Sequence, residues 1–272
     1  MNYNQKVKKE FIKYLYRRNL SEGRIRKYML VFDEIEKLKI NLKRLTKNDI
    51  DKYFFYLMKS KYKEWTIVTK WKCFKRICKF VKNIDLSEWY IKTPNIEPEI
   101  LSLDEIKAII ENLRNFRDRL IVMLLYESGM RISELLNLKK GDVIFDFYGA
   151  LLRVHGKTGV RYIRVVKIAE LLRIYINLSA SERLFEITER AVLKNIKKAC
   201  EKAGIKKRVY PHLFRHTRAT HLAKYLTESE LKAYFGWSKY SNMPAIYVHL
   251  SSRDVDEKII KTSQIHDLQL KI

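Results

Sequence analysis

The chain has 272 residues, which is long enough for one large domain or two modest domains, each with its own core. Its 56 Lys and Arg residues against 31 Asp and Glu give a net charge of +25, which favours a polyphosphate partner such as nucleic acid. Three scattered cysteines without histidines at ligand spacing argue against a disulfide framework and a zinc site, and no apolar run is long enough to cross a bilayer. We expect two domains, no metal or other cofactor, no membrane contact and a cytoplasmic location.

Residues 7–81 have the apolar spacing of helices. Ser21 with Glu22 is predicted to begin the second helix, and Thr46 to cap the third. The apolar positions form four stripes, each on related faces of one helix: Val7, Phe11, Tyr14 and Leu15; Ile25, Tyr28, Phe32, Ile35 and Leu38; Ile50, Phe54 and Leu57; and Trp71, Phe74, Ile77 and Phe80. These stripes predict a small helical bundle.

The positive charge is concentrated in this N-terminal part. Residues 1–95 hold 25 Lys and Arg against 10 Asp and Glu, a net charge of +15. Single lysines on a helix are usually only solvated. Their density along the fourth helix, interleaved with tryptophan, predicts a surface that faces DNA. The cations of this helix are Lys70, Lys72, Lys75, Arg76, Lys79 and Lys82.

The segment from Lys92 to Pro98 is the predicted domain boundary, because its two prolines interrupt helices. The predicted division is residues 1–92 for the helical domain, 93–98 for the linker and 99–272 for the second domain. Ser102 with Glu105 has the pattern of a capping box and begins the second domain. Gly129 is expected to end an apolar helix. Arg131 follows, in the sequence Tyr-x-Ser-Gly-x-Arg-x-Ser-Glu-Leu.

Beyond Asp142 the apolar spacing changes from helical to alternating, which predicts a small antiparallel sheet. The predicted strands are residues 143–145, 151–154 and 160–166. Gly156 and Gly159 flank a turn that would hold Lys157 at the tip of a hairpin, where a lysine is ordinarily just solvated. The predicted fold class is mostly α with a small antiparallel β-sheet: a helical bundle followed by an α+β domain.

The last quarter of the chain has residues suited to binding a phosphate. Pro211 fits the first turn of a helix, because its ring presets φ and its missing N–H would be unpaired there. His212 and Arg215 then share one face of that turn, where the helix dipole favours an anion. Trp237, which follows a glycine, and Tyr247 come next, separated by a polar loop.

Set in order, these residues resemble the tyrosine recombinase (phage integrase) family, and the sequence around Trp237 and Tyr247 is most similar to archaeal integrases. The segment of Arg131 resembles the one that holds the family's first catalytic arginine and, after it, a supporting acidic residue. The chain departs from the family at Trp237, where most members have His, and at Thr158, where a second glycine is common. The first domain resembles the family's core-binding (DNA-binding) domain and the second its catalytic domain.

The resemblance implies a site-specific recombinase or integrase that cleaves and rejoins DNA through a 3′-phosphotyrosyl intermediate without metal or ATP. The implied partners are double-stranded DNA and further copies of the chain in a homotetramer, and the sequence does not indicate any accessory protein. An apolar face near the C-terminus, Val255, Ile259 and Ile260, would be covered by a neighbouring protomer, and the alternative is that this segment folds back on its own domain. The implied catalytic residues are Arg131, Lys157, His212, Arg215, Trp237 and the nucleophile Tyr247.

The implied roles follow the needs of phosphodiester cleavage. Arg131 and Arg215 would bind the two non-bridging oxygens, since a guanidinium offers paired donors and stays charged. His212 is the candidate base for the tyrosine hydroxyl, and Lys157 would protonate the departing 5′ oxygen. Trp237 would donate its indole N–H to the phosphate or pack against the helix of the tyrosine.

An alternative stays open for the assignment of Lys157. Arg161 or Arg164 is the fallback for the general acid. His216, His221 and His249 are expected to be structural or supporting.

Other functions also stay open. A type IB topoisomerase uses similar residues to relax DNA, and a protein of this family can survive as a DNA-binding module. A metal nuclease is less favoured, because no carboxylate cluster has ligand spacing and Asp142 and Asp146 have the positions of turn residues.

Overall fold

The structure of the chain, a computed structural model, describes residues 2–93, 99–156 and 159–251, and for residues 248–251 it describes only the backbone. The chain forms two compact units, Met1–Ile96 and Glu97–Ile272. The described residues are mainly helical, with one three-stranded antiparallel sheet in the second unit. The predicted fold class is therefore confirmed.

The first unit is a helical bundle. Its described α-helices are α1 (Tyr3–Arg17), α2 (Glu22–Lys37), α3 (Lys47–Met58) and α4 (Glu64–Lys82). Ser21 is the N-cap of α2, as predicted, although its side chain makes no capping hydrogen bond. Thr46 caps α3 in a reciprocal capping box with Asp49, which satisfies backbone N–H groups at the helix start. Both predicted helix starts are confirmed.

Aromatic rings fill the core of this bundle. Phe11 is fully buried, and its ring centroid lies 5.3 Å from that of Tyr28 and 5.8 Å from that of Phe32. The predicted stripes are largely the buried faces of their helices. The exception is Phe80, which is 39% exposed at the end of its stripe.

The predicted cationic face of α4 is only partly free to meet DNA. The Nζ atom of Lys70 lies 2.7 Å from Oε1 of Glu34, and both side chains are mostly buried. Arg76 lies over two tyrosine rings. Lys72 and Lys79 are exposed. The prediction that all six cations form one DNA-facing surface is therefore wrong for Lys70, because a buried acid from α2 pairs with it.

The second unit surrounds a small sheet with helices. Its described elements are α5 (Leu103–Glu111), α6 (Phe116–Ser128), α7 (Ile132–Leu136), β1 (Val143–Asp146), β2 (Gly149–Gly156), β3 (Gly159–Val165), α8 (Ala169–Leu178), α9 (Glu189–Lys202), α10 (Pro211–Leu222), α11 (Glu228–Phe235) and α12 (Met243–Ser251). Ser102 and Glu105 form the predicted capping box before α5. Gly129, with φ +59°, ends α6 as predicted, since glycine adopts this left-handed conformation without strain.

The sheet has the strand order β1-β2-β3, and both pairs are antiparallel. Its three strands confirm the alternating pattern of the sequence. Leu152, Val154 and Ile163 are fully buried in the main core of the unit. Gly156 pairs with Gly159 at the end of β2 and β3. This end of the sheet lies next to the candidate site.

The structure describes some of the remaining features that the sequence analysis considered, and others lie outside the described residues. The three cysteines are buried free thiols. In the described part of the chain, no helix combines the length and the apolar character needed to cross a membrane. Most of the linker (residues 94–98), Lys157 with Thr158, and the tail positions Val255, Ile259 and Ile260 lie outside the described residues.

Candidate active site

Arg215 joins three distant parts of the sequence at the start of α10. Its side chain is buried, and it donates from Nη1 to the carbonyl of Gly129 at 2.8 Å and from Nη2 to that of Phe235 at 2.6 Å. Gly129 lies just before Arg131, and Phe235 lies just before the glycine that precedes Trp237. Burial and then the positive charge of Arg131 lower the pKa of Arg215 to about 9, so the guanidinium stays charged at neutral pH.

Glu134 is a buried carboxylate held between two arginines. It accepts hydrogen bonds from the backbone N–H and Nη1 of Arg131, at 2.8 and 2.6 Å, and from Nη2 and Nη1 of Arg161, at 2.8 and 3.1 Å. Burial raises the pKa of Glu134, but the hydrogen bonds and charges of Arg161 and Arg131 outweigh burial and lower it to about 2. The Arg131 side chain remains 33% exposed, against 9% for Arg161. Arg131 is therefore oriented by Glu134 and still open to a ligand.

Arg161 packs against two glycines of the site. A Cβ atom added to Gly156 would lie 2.8 Å from Nη1 of Arg161, and one added to Gly236 would lie 3.0 Å from its Cδ. The Nε atom of Arg161 donates to the carbonyl of Tyr234 at 3.1 Å. The side chain thus links β3, α7 through Glu134, and the end of α11. Sequence reasoning missed this, because a turn glycine gives no sign of the side chain packed against it.

Tyr247 is buried on α12, with only 1% of its surface exposed. Its ring lies parallel to that of Trp237, with an interplanar angle of 3° and 5.5 Å between centroids, and Trp237 stacks in turn on Phe235. Burial raises the pKa of the Tyr247 hydroxyl to about 12, although the nearby charge of Arg215 acts in the opposite direction. The phenol is therefore protonated at neutral pH, and its attack on phosphorus would require the loss of this proton to a base.

The hydroxyl of Tyr247 is hydrogen-bonded to His216, whose Nδ1 lies 2.5 Å away. The sequence pointed instead to His212 as the partner of this hydroxyl. The rings of the two histidines meet edge to face, with centroids 4.6 Å apart. The signal that could have found His216 is its spacing, because a residue four positions after His212 lies on the same helix face.

Both histidines are neutral at pH 7. Desolvation, followed by electrostatic interactions with His216, Arg215 and Arg131, lowers the pKa of His212 to about 4. The His212 side chain is nevertheless open to solvent on one side. Desolvation and the charge of Arg215 also lower the pKa of His216. A neutral imidazole can accept a proton or donate its N–H, but it does not add a positive charge.

Four other described residues that the sequence singled out lie outside this group: Asp142, Asp146, Arg164 and His221. Arg164 pairs with Asp146 at 2.6 Å near the other end of the sheet, so the structure does not bring it to the site. Asp142 pairs with Arg153. His221 bonds to Tyr126 at 2.9 Å. In the ranges that the structure covers, no three His, Cys, Asp or Glu side chains are grouped so that they could hold a metal ion.

The site as a whole is suited to a phosphodiester. The site contains two arginines from different segments, one neutral histidine open to solvent, and a tyrosine hydroxyl that is hydrogen-bonded to a second histidine. Backbone carbonyls and a buried carboxylate hold the two arginines in place. Cations of this kind stabilise the added negative charge of a phosphoryl transition state.

Comparison with known proteins identifies relatives of this chain. Residues 99–253 match the family described as the phage integrase family. The chain is 36% identical over 148 residues to the tyrosine recombinase XerA of Thermococcus onnurineus, which covers 48% of this chain and 51% of that protein. In this match, the chain therefore spans about half the length of that relative. With the tyrosine recombinase XerA of Pyrococcus horikoshii the identity is 28% over 284 residues, covering 97% of this chain and 96% of the relative.

A similar fold occurs in a solved structure of lambda integrase, a tetramer bound to a Holliday junction. The TM-score is 0.72 at 15% sequence identity, and the match covers 89% of this chain and 76% of that one.

Proposed function

The chain belongs to the phage integrase family, and on that premise we propose that it is a site-specific DNA recombinase that cleaves and rejoins DNA through a 3′-phosphotyrosyl intermediate, without metal or ATP. The observation that carries the proposal is the pair of hydrogen bonds from Arg215 to Gly129 and Phe235, which gathers the separated motifs around α10. The proposed catalytic residues are Arg131, Lys157, His212, Arg215, Trp237 and Tyr247.

In the proposed reaction, the Tyr247 oxygen attacks the scissile phosphorus and the bond to the 5′ oxygen breaks. Arg131 and Arg215 bind the non-bridging oxygens, and Lys157 protonates the leaving oxygen. The bond energy is kept in the phosphotyrosyl link. The 5′-hydroxyl of another strand can therefore attack that link and release the tyrosine, without ATP.

Two assignments within this set are refined by the geometry. The low pKa of His212 and its nearness to the arginines support a neutral ring that donates an N–H to the phosphate. The base role that the sequence suggested for His212 stays a prediction. The stacking of Trp237 on Tyr247 supports the packing role for Trp237 rather than donation to the phosphate.

The proposed substrate is double-stranded DNA, and the proposed active assembly is a homotetramer. The similar lambda integrase structure is a tetramer bound to a Holliday junction, which supports both parts. Residues 1–92, with their strong positive charge, would be the DNA-binding domain, 93–98 the linker and 99–272 the catalytic domain. That a neighbouring protomer covers the C-terminal tail stays a prediction. The cytoplasmic location also stays a prediction.

Trapping of covalent complexes tests this function. The purified protein is incubated in EDTA with fragmented genomic DNA of its host, then denatured, and the DNA that remains attached is sequenced. We expect one recurrent site, bound through its 3′ phosphate, and strand exchange between two copies of that site. Relaxation of supercoiled DNA without sequence preference would indicate a topoisomerase, and cleavage that needs a divalent cation would indicate a nuclease.

Two exposed lysines of α4 allow the DNA-binding role of the first unit to be tested. In the double variant Lys72→Gln with Lys79→Gln, we expect the slope of log K against log salt to become shallower by about 0.9 for each phosphate that the protein no longer neutralises. The control is Lys47→Gln, because Lys47 is exposed but paired with Glu88. An unchanged slope in the double variant would contradict the assignment.

A sulfur leaving group tests the role of Lys157. Lys157→Ala should cleave ordinary DNA slowly but be largely rescued by a 5′-phosphorothiolate at the scissile bond, because sulfur leaves without protonation. Arg164→Ala is the control, since Arg164 pairs with Asp146 away from the site, and it should cleave both substrates normally. If the 5′-phosphorothiolate rescues Arg161→Ala but not Lys157→Ala, the general acid is Arg161 rather than Lys157.

A further inference from the structure

His216 is placed to take part in the chemistry of Tyr247. Its Nδ1 atom lies 2.5 Å from the tyrosine hydroxyl, and the half-buried ring comes from α10, one position after Arg215. We propose that His216 is a further catalytic residue and that it, rather than His212, is the base that accepts the phenolic proton of Tyr247 as its oxygen attacks DNA. This inference rests on the proposed function and deepens it.

The proton transfer balances within the proposed cleavage step. Before the reaction His216 carries its proton on Nε2, and Nδ1 accepts the hydrogen bond from the hydroxyl. As the bond from oxygen to phosphorus forms, the phenolic proton moves to Nδ1 and the ring becomes an imidazolium. A separate proton from the general acid goes to the 5′ oxygen. On rejoining, the imidazolium returns its proton to the released tyrosine oxygen.

The surroundings of His216 keep its ring unprotonated at pH 7, so that it is free to accept a proton. Among the described residues, the groups around it are the His212 ring, the Tyr247 hydroxyl and the charge of Arg215. Desolvation and Arg215 lower the pKa of His216, so the ring is neutral at pH 7. A bound phosphodiester would place negative charge beside Arg215 and offset its effect. The imidazolium would then form more readily on DNA than in the free protein.

A second tyrosine–histidine pair, which joins Tyr126 of α6 to His221 of α10, gives a matched comparison. His221 also uses Nδ1, at 2.9 Å from the hydroxyl of Tyr126, and its ring is likewise partly buried. The two pairs share their chemistry, but only the first includes the tyrosine that stacks on Trp237 near Arg215. A variant at His221 therefore controls for the loss of an ordinary structural hydrogen bond.

The decisive variant is His216→Asn, because an asparagine oxygen can occupy the position of Nδ1 and accept the hydrogen bond but cannot take a proton at neutral pH. His216→Ala removes both properties, and His221→Asn is the control. Single-turnover formation of the covalent adduct is measured on a nicked duplex of the trapped site from pH 5 to 9. DNA affinity and melting temperature are measured for each variant.

We expect His216→Asn to form adduct about 100- to 10,000-fold more slowly than the native protein at pH 7, with unchanged DNA binding. The His221→Asn control should be close to native. At protein concentrations too low to saturate the DNA, the native rate should fall at acid pH as His216 becomes protonated. The midpoint of this fall should lie below the ordinary histidine pKa of 6.5. This acid limb should be lost in His216→Asn, whose rate should rise with pH as the phenol ionises. Added imidazole should partly restore His216→Ala.

Two results would overturn the inference while leaving the proposed function intact. A native rate in His216→Asn together with a slow His216→Ala would mean that the bond only positions Tyr247. Faster cleavage by either variant would mean that His216 restrains the tyrosine. If the native protein itself forms no adduct at Tyr247, the proposed function fails, and the inference fails with it.

Discussion

Replacing Tyr247 with phenylalanine should abolish the covalent protein–DNA adduct and leave DNA binding unchanged. The substitution removes a single oxygen atom, the proposed nucleophile, and keeps the ring that stacks on Trp237. Among the described residues, the substitution removes the hydrogen bond to His216, so the folded state should change in stability by no more than about 1–3 kcal/mol. The measurement is adduct formation on a nicked duplex, read on a denaturing gel, with DNA affinity measured in parallel.

Tyr126→Phe is the matched control for this experiment. It also removes a tyrosine hydroxyl that bonds to a histidine of α10, but that histidine is His221 and not the partner of Tyr247. We expect it to form adduct at close to the native rate. An adduct formed by Tyr247→Phe would show that another side chain is the nucleophile.

Glu134→Ala should cause the largest loss of stability among single substitutions in the site, about 3–5 kcal/mol. The reason is that Arg131 and the nearly buried Arg161 would lose the carboxylate between them. Arg131 would also lose its orientation, so adduct formation should slow as well. The control is Asp146→Ala, which breaks the more exposed pair with Arg164 and should change stability by about 1 kcal/mol or less.

The effect of Glu134 should also depend on pH. Its pKa is lowered in the folded protein from about 4.5 to about 2, so its contribution is fully present above the unfolded value. That contribution is lost as the pH falls from about 4.5 towards 2. Urea unfolding of the native protein and Glu134→Ala at pH 7 and pH 3 should therefore show a smaller difference at pH 3. A constant difference would contradict the charged pairing.

The sequence was sufficient to predict the fold class and the segments that meet at the site, because periodicity and turn residues are local signals. The capping box at Ser102 and the turn at Gly129 are examples, and the structure confirms both. The motif order then pointed to Arg131, Arg215 and Tyr247 as neighbours in one site. Their meeting depends on backbone carbonyls as acceptors for Arg215, and no sequence pattern marks a particular carbonyl.

Residues whose importance depends on long-range partners could not be recognised in the same way. Lys70 looked like its neighbours on α4, but a buried glutamate from α2 neutralises it. Arg161 was considered only as a substitute acid, although its donors are directed to Glu134 and a backbone carbonyl. His216 could have been recognised from the sequence, because it lies four residues after His212 on the same helix. The direction of the Tyr247 hydroxyl decided which histidine it meets, and that direction follows from the packing of α12.

The stack of Trp237 on Tyr247 gives the second unit an optical reporter. The chain has four tryptophans, and the other three, Trp65, Trp71 and Trp89, all belong to the first unit. With those three replaced by phenylalanine, the remaining indole emission would come from a ring 5.5 Å from the tyrosine ring. Indole fluorescence changes in wavelength and intensity when a stacked neighbour leaves or water enters. Stopped-flow emission would therefore show in real time whether the tyrosine leaves its buried position on DNA before any DNA bond is broken.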